Sequence, residues 1–219
     1  MPNRSEYHPD RPLPASLDRP KRKKLSREEK AQRTYGNLME AAAQIVGESG
    51  YAATTIAKVT QVAGVAHGTF YNYFEDRQEL FDVLLPYIGE RMTDWIAEEL
   101  ADFSGTGFER EVARFRAYCG YLRENPGFYR VLYEAEVFAP KAHEAHIRRL
   151  TEGYVRALQR AMAAGDLREM DEAELTTTAA ILLGARAYVA MQFKESREVP
   201  EAAVNAYAAL MRDGLFRKD

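Results

Sequence analysis

The stretch from Thr55 to Phe74 reads TIAKVTQVAGVAHGTFYNYF and gathers the side chains best placed to do chemistry. Its second half sets out His67, Gly68, Thr69, Tyr71, Asn72 and Tyr73. Threonine and tyrosine hydroxyls bond phosphate oxygens, and an asparagine amide reads adenine through two hydrogen bonds. Backbone amides at a helix start suit a phosphate, and Gly68 permits close approach. These groups need two short helices to hold them. Thr54 or Thr55 can cap the first, which runs through Ile56, Val59 and Val62, and Gly64 supplies the positive φ of a tight turn. The second covers roughly 67–74. Small Ala57 and Ala63 allow a close crossing, and Val59, Val62, Val65 and Phe70 can form an internal core. Two short helices about a glycine-bearing turn are the geometry of a DNA-binding helix-turn-helix. The same pattern also suits an ordinary pair of core helices.

The flanking elements are helical in pattern. Ser26 and Glu29 match a capping box, so a helix starts near Arg27, with Leu38, Ala41, Ala42, Ile45 and Val46 on one face. Gly50 is placed to end it in a left-handed cap. Asp76 opens a longer helix through Leu80, Leu84, Ile88, Met92 and Trp95, and Pro86 inside it predicts a kink or a hinge. Gly105-Thr106-Gly107 reads as a loop and Phe108 to Arg123 as an amphipathic helix. Asn125-Pro126 reads as a cap with proline in the first turn. Pro140 opens a helix to Gly165, Asp171 and Glu174 form a second capping box, and Pro200 starts the last helix. The fold class is all-α with about nine helices. Residues 1–25 form a basic, proline-rich arm, 26–80 a three-helix DNA-binding domain and 81–219 a helical ligand-binding and dimerisation domain.

Composition narrows the classes further. Of 219 residues, 46% are hydrophobic, enough for a core, and no run of about 18 apolar residues would span a membrane. The N-terminus lacks the apolar segment of a secretory signal. With the lone Cys119 closing no intrachain disulfide, a cytoplasmic location is expected. The net charge of −3 conceals an asymmetry: residues 1–80 carry twelve bases against ten acids, while the remainder is −5. Lys21, Arg22, Lys23 and Lys24 are the densest basic run, suited to a polyanion or simply to solvent.

The Ala-Gly-Val turn at 63–65, then Gly68-Thr69-Phe70-Tyr71, Tyr73-Phe74 and a basic residue before Glu79-Leu80, resembles the TetR/AcrR family of transcriptional regulators over roughly 33–81. Beyond residue 100 only the number and order of helices match. The resemblance implies a homodimeric, mostly repressing regulator that binds a palindromic double-stranded operator and a small-molecule effector. It implies that Thr55 caps the second helix and touches phosphate, and that His67, Gly68 and Thr69 begin the recognition helix. Tyr71 and Tyr73 would meet backbone or a thymine methyl, Arg77 a phosphate, and Phe70 and Phe74 the core. Ala66 stands where a Ser or Thr cap is common, giving up about 1 kcal/mol. His67 stands where Lys is frequent, so DNA binding is expected to be mildly tighter at about pH 6 than at about pH 8.

In the remaining chain aromatic residues accumulate. Phe115, Tyr118, Phe128, Leu132, Tyr133, Tyr154, Leu182, Arg186 and Val189 are the candidate ligand contacts. Arg186, near an apolar face, calls either for a buried carboxylate such as Glu134 or Glu136, or for a ligand carboxylate or phosphate. Small residues at Gly184, Ala185, Ala187 and Ala190 and at Ala202, Ala203, Ala206, Ala208 and Ala209 permit close helix packing; the resemblance implies a four-helix dimer bundle there. Catalytic readings fall short. His143-Glu144-Ala145-His146 spaces its histidines three apart where a zinc-protease helix needs four. Gly105-Thr106-Gly107 lacks the rest of a dinucleotide fingerprint, and Gly47-Glu48-Ser49-Gly50 is one residue short of a nucleophile elbow. No catalytic residue, metal or cofactor is expected. The function expected is a sequence-specific regulator released by a hydrophobic or aromatic ligand. The alternatives are a ligand-binding or catalytic helical protein with a vestigial motif, and an adaptor holding DNA through its basic arm.

Overall fold

The computed structural model describes residues 26–193 and 199–213; the expected contacts at Lys21, Arg22, Lys23 and Lys24 lie outside them. Among the described residues there are eight α-helices and one 3-10 helix, and no strand. α1 (Arg27–Ser49) starts at the expected capping box: the Ser26 hydroxyl accepts from the Glu29 amide, and the Glu29 carboxylate accepts from the Ser26 amide. Gly50 ends it at φ +83, but its ψ of 165 is extended, so the cap is not the left-handed helical one expected. α2 (Ile56–Ala63) is capped by Thr55, whose hydroxyl accepts from the Lys58 amide. Gly64 closes it in the left-handed region at φ +68, ψ 33. A 3-10 helix follows (His67–Asn72), then α3 (Arg77–Glu99), capped by Asp76 and continuous through Pro86.

The remaining helices are α4 (Gly107–Glu124), α5 (Phe128–Phe138), α6 (Pro140–Ala163), α7 (Glu172–Gln192) and α8 (Glu201–Asp213). Two boundaries differ from expectation. Thr106 belongs to a capping box with Glu109 that starts α4, and the Asn125-Pro126 pair starts no helix. Asn125 is instead the C-cap of α4, and α5 opens two residues later behind Gly127 without a side-chain cap. The reason is a close approach. A Cβ on Gly127 would lie 2.8 Å from the Gly47 Cα, so the turn at 125–127 rests directly on α1.

One apolar core runs from α1 through α3 into α4 and α5. Leu38, Met39, Val46, Tyr51, Val59, Phe70, Leu80, Phe81, Leu84, Leu85 and Phe115 are fully buried in it. A second cluster joins Tyr154 and Leu158 of α6 to Leu175 and Ala179 of α7. α3 packs against α1, α4, α5 and α6, and thus threads both halves of the chain. No described helix is long and apolar enough to cross a membrane.

Candidate nucleic-acid interface and interior cavity

The first site is built on the 3-10 helix. Its winding is marked by bonds three residues back, from the Thr69 amide to the Ala66 carbonyl at 2.8 Å and from the Tyr73 amide to the Phe70 carbonyl at 3.0 Å, and Ala66 offers no capping oxygen at its start. At three residues per turn, side chains three apart lie in rows. His67, Phe70 and Tyr73 form one row, and it carries the anchor: Phe70 is fully buried, with Phe74 5.2 Å from it ring to ring. Tyr73 is half-buried 6.3 Å from Tyr35 of α1. The other rows face outward. Gly68, Asn72 and Tyr71 are exposed, Tyr71 at 54%, while Thr69 is half-buried. His67 is exposed beside Tyr71, with ring centroids 5.8 Å apart.

Two neighbours complete this surface. Thr55 is exposed at the α2 N-terminus. Arg77, in the first turn of α3, donates to the Thr54 carbonyl at 3.2 Å and lies 5.4 Å from the Phe81 ring centroid. Arg77 is thus held beside the α2 cap while remaining exposed. Lys58 donates to the Ala53 carbonyl at 2.9 Å and brings a second cation there that the sequence reading left out. The expected internal core is corrected in part: Val59 and Phe70 are buried, but Val62 is 50% exposed and Val65 half-buried; of the two small residues expected at the crossing, Ala63 is half-buried and Ala57 exposed. α2 rests on α1 through Val59 and Thr60, which turns Val62 outward.

The second site is a cavity of about 610 Å³ between α4, α6, α7 and α8. Phe108, Leu158, Leu167, Met170, Leu182 and Met211 give it an apolar interior; Arg110, Arg114, Arg160 and Arg212 give it cations. Glu111 and Asp166 are the carboxylates in its wall. Of the candidate ligand residues only Leu182 lines it. Phe115, Tyr118, Phe128, Leu132 and Tyr154 are buried in packing, Val189 is half-buried, and Tyr133 is 44% exposed, stacked on Tyr129 at 5.9 Å. Sequence reasoning had no signal for Phe108, Met170 and Met211. They converge from α4, the loop between α6 and α7, and α8, segments far apart in the chain.

Arg186 is buried, and its carboxylate is neither Glu134 nor Glu136. Glu111 of α4 stands 3.8 Å from its Nη1, and the guanidinium lies over the Tyr154 ring at 4.7 Å and the Tyr118 ring at 5.6 Å. Glu136 is exposed. Glu134 is used elsewhere: its carboxylate accepts from the Tyr51 amide at 2.9 Å and ties α5 to the end of α1. Burial pushes the Tyr118 hydroxyl up to about 12 and the Cys119 thiol up to about 11, which leaves both protonated at neutral pH. His146 is buried against Gly89 of α3, and burial, with His143 and Arg149 nearby, lowers it to about 4. No group of three or more potential metal ligands occurs among the described residues.

Three comparisons bear on these sites. Residues 38–84 match the family model described as bacterial regulatory proteins, tetR family. The chain is 34% identical over 62 residues to the fatty acid metabolism regulator protein of Bacillus subtilis, covering 28% of this chain and 30% of that protein. It is 31% identical over 85 residues to the HTH-type transcriptional repressor KstR2 of Mycobacterium tuberculosis, covering 37% and 40%. In both, the aligned part is less than half of the relative's length. The fold is similar to the transcriptional regulator FadR of Bacillus subtilis, solved in complex with stearoyl-CoA, with a TM-score of 0.66 and 17% identity over 83% of this chain and 100% of that one.

Proposed function

Because residues 38–84 belong to the TetR family of bacterial regulatory proteins, we propose that this chain is a cytoplasmic, homodimeric repressor that leaves its operator when a small amphipathic ligand enters the cavity between α4, α6, α7 and α8. The carrying observation is the outward row of the 3-10 helix. Phe70 pins the helix from inside while Tyr71 and Asn72 are exposed on it, and Arg77 holds the Thr54 carbonyl next to the exposed Thr55. Asn72 is placed to read a base edge in a major groove. Thr55, Arg77 and the basic run at 21–24 supply sequence-independent phosphate contacts. In this reading 26–80 is the DNA-binding domain and 81–219 the effector and dimerisation domain.

Self-association is supported by α7 and α8. α7 exposes Ala173, Thr177, Ala180, Ile181, Gly184 and Tyr188 at helical spacing, and α8 exposes Ala202, Ala206 and Leu210. A two-fold dimer through this face would present two recognition elements to a palindrome. The ligand class is supported by the apolar residues and four arginines that line the cavity together, and by the stearoyl-CoA bound to the Bacillus subtilis neighbour.

A gel shift tests this reading. The full chain is titrated onto DNA from around its own gene and onto a scrambled control, at two salt concentrations, with and without stearoyl-CoA. A discrete complex of two protomers, or a multiple, on the native DNA alone, dissolved by stearoyl-CoA, is the expected result. Equal smearing on both DNAs overturns sequence-specific regulation. A specific complex indifferent to the thioester overturns only the ligand class.

A further inference from the structure

Two guanidiniums share one carboxylate in the wall of the cavity. Glu111 is 7% exposed and is, among the described residues, the carboxylate paired with both Arg114 and Arg186. Its Oε2 accepts from Arg114 Nη1 at 2.7 Å. Its Oε1 accepts from the hydroxyls of Tyr154 of α6 and of Tyr207 of α8, the latter at 3.0 Å. Arg186 reaches it only at 3.8 Å, and Arg186 Nη1 has no hydrogen-bond partner. The two guanidiniums outnumber the carboxylate by one, with Arg186 buried and Arg114 partly so, an imbalance that is costly unless a further anion meets it. Arg114 is its most accessible member, with a side chain 21% exposed against 10% for Glu111 and 8% for Arg186.

We propose that Arg114 anchors the anionic group of the effector and that Glu111 is a built-in occupant of that place. A ligand carboxylate or phosphate takes Arg114 from Oε2, and Glu111 is left to Arg186 and the two tyrosines. The added anion neutralises the cluster. Because Tyr207 hangs on the same carboxylate, the exchange is felt by α8, one of the two helices that carry the exposed small-residue face. This rests on the effector reading above and deepens it: it names the atoms through which an occupied cavity is sensed.

Isothermal titration of the full chain with lauroyl-CoA, laurate and dodecanol, all below their micellar concentrations, tests the exchange. The three share one alkyl chain and differ in phosphate, carboxylate or neutral head. The wild type is expected to prefer at least one anionic probe to dodecanol by roughly tenfold, the worth of one charge-assisted hydrogen bond. Arg114→Gln abolishes that preference. Glu111→Gln tightens the anionic probe by about the same factor, leaves dodecanol unchanged, and gains nothing once Arg114 is also replaced. A preference that survives Arg114→Gln, or a Glu111→Gln gain that persists without Arg114, overturns the exchange and leaves the effector reading standing. So does a wild type that binds dodecanol as tightly as either anion. Binding of none of the three overturns both. Should Glu111→Gln lose its cooperative thermal transition, the ratio of laurate to dodecanol affinity in Arg114→Gln decides alone.

Discussion

The two ends of the molecule put their polar chemistry on opposite sides of their packing. Around the 3-10 helix the interior is almost wholly apolar, with Leu38, Val46, Val59, Phe70 and Leu80 fully buried, and the hydrogen-bonding groups of His67, Tyr71 and Asn72 stand outside. In the α4–α8 bundle the interior itself holds Glu111, His146 and Arg186, beside a cavity lined in part by four arginines. A surface that must meet a rigid duplex gains from a scaffold with one dry, close-packed arrangement. A receptor for a small molecule gains from an interior with charges that a ligand can satisfy. Stability comes from packing in the first region. In the second, the packing must also carry the cost of buried ions.

The sharpest way to test that division is Phe70→Ala. Emptying a fully buried aromatic site is expected to cost about 3–5 kcal/mol of stability in urea unfolding and to abolish operator binding. Cavity ligand affinity per folded molecule should be unchanged; a matching loss there would break the comparison. Next comes the acid response, which should belong to the bundle. His146 is lowered to about 4 by burial, against about 6.5 when unfolded, so between those values the unfolded chain binds more protons. The neutral, buried His146 therefore contributes stability that is fully present above about pH 6.5 and is lost as the pH falls toward 4. The loss should reach at most about 3 kcal/mol. Urea midpoints of wild type against His146→Gln across this window should converge as the pH falls. Parallel curves would place the acid sensitivity elsewhere.

The junction between the regions is the third target. Gly127→Ala puts a Cβ 2.8 Å from the Gly47 backbone, an overpacking expected to cost about 2 kcal/mol by thermal unfolding. The smallest effect is expected at Thr55→Ala, which removes the α2 cap for about 1 kcal/mol. If Thr55 also meets phosphate, the same variant weakens operator and random DNA equally; loss on operator alone would show it contributing to base recognition.

What was legible beforehand divides along similar lines. Local chemistry read well: the Ser26–Glu29 and Asp171–Glu174 boxes, the Thr55 cap and the Gly64 turn each lie within a few residues and appear as expected. The box at Thr106 and Glu109 has the same spacing and was readable, but the flanking glycines hid it. Asn125-Pro126 misled because its local preference for a helix start gives way to a contact of its neighbour Gly127 with Gly47, eighty residues earlier. Arg186 showed that it needed a partner but not which one. Glu111 is seventy-five residues away, and nothing in its own neighbourhood marks it as buried. Of the recognition segment, His67, Gly68, Tyr71 and Asn72 stand outward as expected, but Thr69 and Tyr73 are half-buried, because Tyr73 falls in the row of Phe70 and meets Tyr35 of α1. The cavity could not be read, because its lining depends on how four helices settle against one another.

α3 has a mechanical consequence. It is 23 residues long, about 35 Å at 1.5 Å per residue, and Pro86 interrupts its hydrogen-bond ladder near the middle. Arg77 at its tip grips the Thr54 carbonyl. The segment from Pro86 to that grip is a lever arm of about 13 Å, so a swing of about 5° about the proline carries the α2 cap about 1 Å. In the proposed two-fold dimer that displacement would be doubled, which is comparable to the tolerance of a hydrogen bond to a base edge. Under that proposal, a rearrangement too slight to unpack the bundle would be large enough to put the two recognition elements out of step with the pitch of DNA.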